Sequence, residues 1–318
     1  MQHWNYLISI LSVSVLFQCV SAHNILLTND DGWAVAQIRA QRDSLVNGGF
    51  NVILSSPAVD KSSTGSDTAT PKPLAQPCEF NSCPKGSPAE GFNASDPRLN
   101  YVNAFPADAV HYGIQTLSPK FFGTPDFVIS GPNIGNNLGA NHQGSGTINA
   151  ACEAAKEGIP SAAVSGDIPG QGHVSYTTLT TSPKSPTTLT ALLYAELTTN
   201  FTQTMYDPAA RPILPANVTL NINYGATTFS ASGEPKGKCA TASDFKWVFT
   251  RMAKSTTAVD VETCGSKHLP DERTVINAGC YASVAVMNAN TKKDVSASVQ
   301  AQVLDRLAPS GLFTCFKA

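Results

Sequence analysis

Two adjacent acids, Asp30 and Asp31, stand between Asn29 and Gly32, directly after the apolar run Ile25-Leu26-Leu27. Two carboxylates side by side at the mouth of a sheet repel each other, and desolvation raises the cost; a bound cation or a proton on one of them relieves it. The polar groups that could join them are hydroxyls and amides. Asp60-Lys61-Ser62-Ser63 follows a second apolar run, and Ser130-Gly131-Pro132-Asn133-Ile134-Gly135-Asn136-Asn137-Leu138-Gly139 ends a third. Oxygen donors of this kind suit Mg²⁺, Mn²⁺ or Ca²⁺ rather than Zn²⁺, and no CxxC or Cys/His spacing marks a zinc site. The glycines around Asn133 and Asn137 let backbone N–H groups approach a ligand closely. Ser145-Gly146-Thr147 then opens a helical pattern, whose N-terminus favours an anion such as phosphate. Taken singly, the Asp-Asp-Gly tripeptide is also an ordinary turn and Ser145 an ordinary helix cap.

The elements that would position these groups follow from hydrophobic period. Residues 24–27 read as a buried strand, followed by a helical pattern with Trp33, Ile38, Leu45 and Val46 near one face and Gly48-Gly49 at its end. Residues 50–54 form a second buried strand; strand, helix, strand in about thirty residues is a βαβ unit and implies a parallel sheet. Residues 58–100 are rich in Ser, Thr, Pro, Asn and Gly, lack any period, and read as a long loop or excursion. A short helix at 107–117, a strand at 126–130, a helix from Thr147 to Gly158, a strand at 161–165 and an amphipathic helix at 184–199 follow. After about residue 210 the character changes: 218–223, 245–249 and 280–286 look like strands without βαβ helices between them, before a last helix near 294–307. That region reads as a β-rich arm over about 215–290. In open parallel sheets ligands bind beyond the carboxyl ends of the strands, which is where the three polar clusters fall.

In order and spacing these segments resemble the SurE family of metal-dependent phosphatases and nucleotidases. The resemblance is carried by ILLTNDDG (25–32), SPAVDKSS (56–63), FPADAVHYG (105–113), SGPNIGNNLG (130–139), SGTINAACEAAKEGIPSAAVS (145–165), LPANVTLNINYG (214–225) and INAGCYASVAV (276–286), so it spans about residues 24–310. It implies an α/β, Rossmann-like SurE fold, with a mostly parallel sheet flanked by helices and a C-terminal β-rich arm. It also implies a phosphoric monoester hydrolase, a 5′-nucleotidase or acid phosphatase. Carried over residue by residue, the family's metal ligands fall on Asp30, Asp31, Ser62 and Asn133, with Asp30 and Asp31 also catalytic. Phosphate-binding positions fall on Asn29, Asn137, Ser145, Gly146 and Thr147. The implied cofactor is a divalent ion, Mg²⁺ or Mn²⁺ ahead of Ca²⁺. Water could attack in line with one of the acids as proton acceptor, or a carboxylate could attack to form an aspartyl-phosphate. The rival reading is a secreted protein of the same fold that binds metal and ligand without turnover. The chain departs from the family's motifs at Val35-Ala36-Gln37, at Ser63 (where a Gly is usual), at Pro132, at Gly144 and in a longer excursion at 66–104. A homodimer or homotetramer is implied, with the arm exchanged between subunits.

Of the 318 residues 42% are hydrophobic and only 14% charged, against roughly 25% in an average soluble domain, and the net charge is −2. This balance offers no electrostatic footprint for a nucleic-acid polymer or an anionic membrane; the expected partner is a small phosphate monoester. Residues 1–22 read as a signal peptide, apolar over 7–20 with small residues at Val20-Ser21-Ala22, which leaves 23–318 as a single α/β domain. Sequons at Asn93, Asn200 and Asn217 agree with a secreted, N-glycosylated protein. Eight cysteines become seven once Cys19 is removed, so one thiol is left over internally. Cys78 and Cys83 bracket a short loop and are expected to pair; Cys152, in a packed helical run, is expected to stay free. N-terminal sequencing of secreted protein should begin at His23; a mature product that retains Met1 contradicts the signal-peptide assignment.

Overall fold

The computed structural model describes residues 22–168, 172–206 and 213–317. All but the last residue of the expected signal peptide lies outside the described residues.

The apolar runs become the centre of one ten-stranded sheet. β1 (Asn24–Thr28) leads through α1 (Ala36–Asn47) to β2 (Asn51–Pro57). The excursion follows, then a hairpin of β3 (Glu90–Asn93) and β4 (Asp96–Val102). Next come α2 (Pro106–Tyr112), one π-helical turn (Gly113–Leu117), α3 (Ser118–Phe121), β5 (Phe127–Ile134), α4 (Gly146–Lys156) and β6 (Ser161–Gly166). α5 (Thr178–Thr181), α6 (Pro186–Tyr206), β7 (Val218–Tyr224), β8 (Lys246–Thr250), α7 (Glu272–Ile276), β9 (Tyr281–Asn288), β10 (Lys293–Asp294) and α8 (Ala297–Leu307) complete the described chain. The strand order is β10-β9-β7-β6-β5-β1-β2-β4-β3, with β8 added beside β9.

β4, β2, β1, β5, β6 and β7 are mutually parallel. A parallel sheet is covered on both faces, which is why its strands read as continuous apolar runs rather than alternating ones. Successive residues still point to opposite faces. Ile25 and Leu27 of β1 join Leu54, Ile129, Val164, Ile38, Leu193 and Phe201 under α1 and α6. Leu26, between them, joins Ile53, Val128, Val110, Ala150 and Ala154 under α2 and α4.

Three sequence expectations change. The excursion is not loop throughout. Its last part forms β3 and β4, and β4 pairs in parallel with β2, Leu54 opposite Leu99. β4 was missed because only Leu99–Val102 of it are buried, too few to set a period. The expected β-rich arm is a flank of the same sheet. β7 runs parallel to β6, Ser161 opposite Thr219 through Gly166 opposite Tyr224, and β9 runs antiparallel to β7. β7 is still reached through the crossover helix α6, and only the antiparallel β9 and β10 need none, so the βαβ rhythm fades within one sheet. Finally, Trp33 precedes α1 rather than lying on it, and Val46 is exposed.

Disulfides join Cys78–Cys83, Cys239–Cys280 and Cys264–Cys315, while Cys152 is free and fully buried. Burial pushes its thiol up to about 12, far from the thiolate that reacts. Alkylation of the native, unreduced protein should therefore label no cysteine at neutral pH, and unfolding without reduction should expose Cys152 alone. Labelling of Cys78 or Cys83 in the same peptide map contradicts the local bridge.

Candidate active site

From β1 the chain builds outward through β2 to β4; from β5 it builds the other way, through β6 to β7. The crevice at the ends of β1 and β5 is therefore the topological switch point, where ligands of open α/β sheets bind. The loop after β1 carries Asp30 and Asp31. The loop after β2 is tied to it: Lys61 N–H donates to the Asp30 carbonyl at 2.8 Å, which brings up Ser62. β5 and the loop beyond it supply Asn133 and Asn137, and Ser145 caps α4 by accepting the Ile148 N–H at 3.1 Å. A polar cavity of about 390 Å³ is lined by Asp30, Ser62, Asn133, Asn137, Asn141 and Ser145, among others.

Five of the residues singled out in the sequence thus share one cavity, and the remaining four adjoin it. Thr147 Oγ1 donates to Asp30 Oδ1 at 2.6 Å. A Cβ on Gly146 would stand 2.7 Å from Asp30 Cβ and 2.9 Å from its Oδ2, so only glycine lets the helix start come this close. Asn29 is buried, its Nδ2 donating to the Gly32 carbonyl at 3.1 Å, while its Oδ1 has no hydrogen-bond partner. Asp31 adjoins the cavity without lining it. Its Oδ2 accepts the Ile134 N–H at 3.0 Å and its Oδ1 lies 3.2 Å from His173 Nε2. Ser62 Oγ donates to Asp60 Oδ1 at 2.7 Å, and Asn133 Nδ2 to the Gly135 carbonyl at 2.7 Å, which leaves the Asn133 oxygen for a ligand. Ser63 takes φ 62°, the left-handed conformation glycine adopts freely, so the loop keeps a glycine-like bend despite the substitution.

Burial, reinforced by neighbouring Asp31, pushes Asp30 up to about 7 against the opposing bond from Thr147. His173 moves up to about 10, held as an imidazolium by hydrogen bonding to Asp31 first and then Glu79. Glu79 Oε1 lies 3.5 Å from its ring and Asp60 Oδ2 4.0 Å; burial raises the Glu79 carboxyl. Asp31, Asp60 and His173 offer ligand atoms within 4.8 Å of one another, a group that could hold a metal ion.

His173 and Glu79 are functional candidates that sequence reasoning missed. His173 sits in a Gly-rich connection without motif spacing, and Glu79 in the excursion beside Cys78. A third group was missed: Asn221 and Asn223 of β7, Glu272 of α7 and His142 of the cavity loop form a buried polar cluster. Burial pushes Glu272 up to about 7, opposed by His142 and Asn221. The available signal was two asparagines at i and i+2 in an otherwise apolar strand, which face one side together.

A mostly parallel α/β sheet with an oxygen-rich crevice at its switch point, closed by a helix N-terminus, defines a Rossmann-like protein whose crevice could hold a small anionic ligand. The family model described as Survival protein SurE matches residues 25–257, and the chain belongs to the SurE family. Among its relatives, a protein named acid phosphatase from Yarrowia lipolytica is 34% identical, over 92% of this chain and 87% of its own. One named 5′-nucleotidase SurE from Synechocystis is 35% identical over 45% of this chain and 47% of its own. These names denote phosphoric monoester hydrolases. The solved SurE protein from Aquifex aeolicus superposes with a TM-score of 0.58 at 19% identity, covering 88% of this chain and 98% of that one, which supports the fold.

The Gly146 contact has a direct consequence. In Gly146→Ala the new methyl must displace Asp30 or the start of α4, an overpacking cost of about 1–3 kcal/mol. Turnover of a phosphate monoester should fall at least about tenfold, since misplacing a catalytic group by an ångström can cost two orders of magnitude, while the thermal melt stays cooperative. Unchanged kcat/KM in the Gly146→Ala variant contradicts the close approach.

Proposed function

We propose that the chain hydrolyses phosphate monoesters, releasing inorganic phosphate, with the help of a divalent cation. The observation that carries this reading is the single cavity at the switch point, which brings Asp30, Ser62, Asn133, Asn137 and Ser145 together from separate loops.

The donor set fits a hard cation. Carboxylate, hydroxyl and amide oxygens line the cavity, a second acid lies immediately behind, and Asn29 Oδ1 is buried without a partner. Asp30, Asp31, Ser62 and Asn133 would hold Mg²⁺ or Mn²⁺, with Ca²⁺ also suited to such oxygens. Asp60 stands close enough to Asp31 to contribute to the ion's site, and His173 would join it only on giving up a proton to become a neutral imidazole. When bound, the cation would offset negative charge on the phosphoryl oxygens in the transition state. The protein's own groups do the rest. Asn137, Ser145 and the start of α4 at Gly146 receive the phosphate oxygens, beside Thr147, whose main chain and hydroxyl both meet Asp30. Asn29, beside Asp30 in the same loop, is the remaining residue assigned to the phosphate. Thr147 fixes the carboxylate of Asp30, and Ile134 N–H and His173 fix that of Asp31. Asp30, the acid facing the cavity, is the proton acceptor for an attacking water or the nucleophile of a covalent route.

The names of the relatives point to nucleoside 5′-monophosphates or general acid-phosphatase substrates. Three disulfides suit an oxidising compartment and support a secreted protein. Asn200 and Asn217 are exposed and Asn93 half-buried, so all three sequons offer acceptors for glycans. A homodimer or homotetramer is the assembly we favour.

Asp31→Asn keeps size and an acceptor for the Ile134 N–H but removes one negative charge. Turnover of AMP or p-nitrophenyl phosphate should drop about a hundredfold or more, because several kcal/mol of charge stabilisation depend on the cation. Calorimetry should show weaker Mn²⁺ binding, and melting without metal should be preserved. EDTA should silence the wild type, with Mg²⁺ or Mn²⁺ restoring it. A folded Asp31→Asn protein with near-normal, EDTA-insensitive phosphate release would overturn the metal-dependent reading.

A further inference from the structure

Glu272 opens α7 and is fully buried. Its two carboxylate oxygens accept from Asn221 Nδ2 at 2.7 and 3.0 Å, and Oε2 also accepts from Asn223 Nδ2 at 3.3 Å. The same two amides reach on to the main chain of Asn137. They donate to its carbonyl at 3.1 and 3.3 Å, and Asn223 Oδ1 accepts its N–H at 2.9 Å. Further along the cavity loop, His142 Nε2 stands 3.6 Å from Glu272 Oε2, beyond a hydrogen bond but within ion-pair reach. The next residue of α7, Arg273, donates through Nη2 to the Leu138 carbonyl at 3.4 Å. Both polar main-chain groups of Asn137 and the carbonyl beside it are thus fastened to α7 and β7, and the ring of His142 lies against Glu272. The side chains of Asn137, Asn141 and Ser145 from the same stretch line the cavity.

Stability alone does not call for this arrangement. A buried carboxylate with buried amides is expensive to assemble, and apolar packing of similar volume is often as stable or more so. What the network does provide is a fixed backbone in a connection whose regular structure is a single 3-10 turn, Gly139–His142.

We propose that Glu272 is a positioning residue for phosphate binding: it sets the amides of Asn221 and Asn223, which hold Asn137 and the 137–142 loop at the spacing a phosphate requires. The proposal rests on Asn137 being a phosphate ligand. Glu272 itself touches neither substrate nor cation.

The test combines a binding cycle with hydrogen exchange on the full mature chain. Glu272→Ala should weaken inorganic phosphate, measured by calorimetry in saturating Mg²⁺, about tenfold. KM for p-nitrophenyl phosphate should rise by a similar factor and kcat change by less than about threefold; Glu272→Gln, which keeps one acceptor, should fall between. In an Asn137→Ala background the same Glu272→Ala change should have little further effect, since coupled residues are not additive. Unchanged phosphate affinity in Glu272→Ala, or full additivity with Asn137→Ala, overturns the proposal. If Glu272→Ala does not fold, Glu272→Gln and Asn223→Ala carry the same cycle. Amide exchange across 136–145, compared with β1 and β2, reads the clamp independently of phosphate. Selective acceleration in the Glu272 variants supports it, and uniform or absent acceleration overturns it. Wild-type protein that neither binds nor releases phosphate refutes the functional reading, and exchange alone then decides whether Glu272 holds the loop.

Discussion

Two carboxylates cannot share the end of one buried strand unsupported, and the rest of the site is arranged around the fact that Asp30 and Asp31 do. Each is met by a partner from a different part of the fold. Thr147, in the first turn of α4, donates to Asp30, while the Ile134 N–H at the end of β5 and His173, from the connection after β6, meet Asp31. Repulsion at one point is thereby converted into attachment at three. The same repulsion makes the crevice receptive to positive charge, which an imidazolium supplies on one side and a cation can supply on the other.

The sheet makes this geometry available. β1 lies at the centre of the parallel strands, so the loop at its carboxyl end is flanked by those after β2 and β5. The pairing of β5 with β6 slips between Ser130 and Asn133. A local irregularity of this kind re-aims the side chains beyond it, and Asn133 is the first of those. The strands beyond β6 serve the site as well: β7 contributes the asparagines that hold Asn137, and β9 secures β7 along its whole length. A flank that looks peripheral in the chain order is continuous with the crevice at the switch point.

The excursion after β2 is similarly drawn inward. The Cys78–Cys83 bridge closes a small loop, Glu79 N–H donates to the Ala58 carbonyl at 3.1 Å, and Trp33 Nε1 donates to Ser82 Oγ at 3.0 Å. Docked this way, Glu79 reaches His173 and completes the ring of acids around it.

The sequence by itself determined the βαβ core, the position of Asp30 and Asp31 at a strand end, the oxygen chemistry of Ser62 and Asn133, and the helix start at Ser145. Each of these is written in local pattern, as a run of apolar residues, a cap or a cluster of turn residues, and local pattern governs local backbone. The free Cys152 and the Cys78–Cys83 bridge were legible for the same reason, one from a helical run and the other from proximity. Tertiary structure alone decided that β4 and β7 join the parallel sheet, that His173 meets Asp31, and that Glu272 lies beneath a loop far earlier in the chain. Those contacts depend on strand order and on which buried polar groups find partners. Neither leaves a period in the chain, because hydrogen bonds between distant residues impose no spacing on the residues between them.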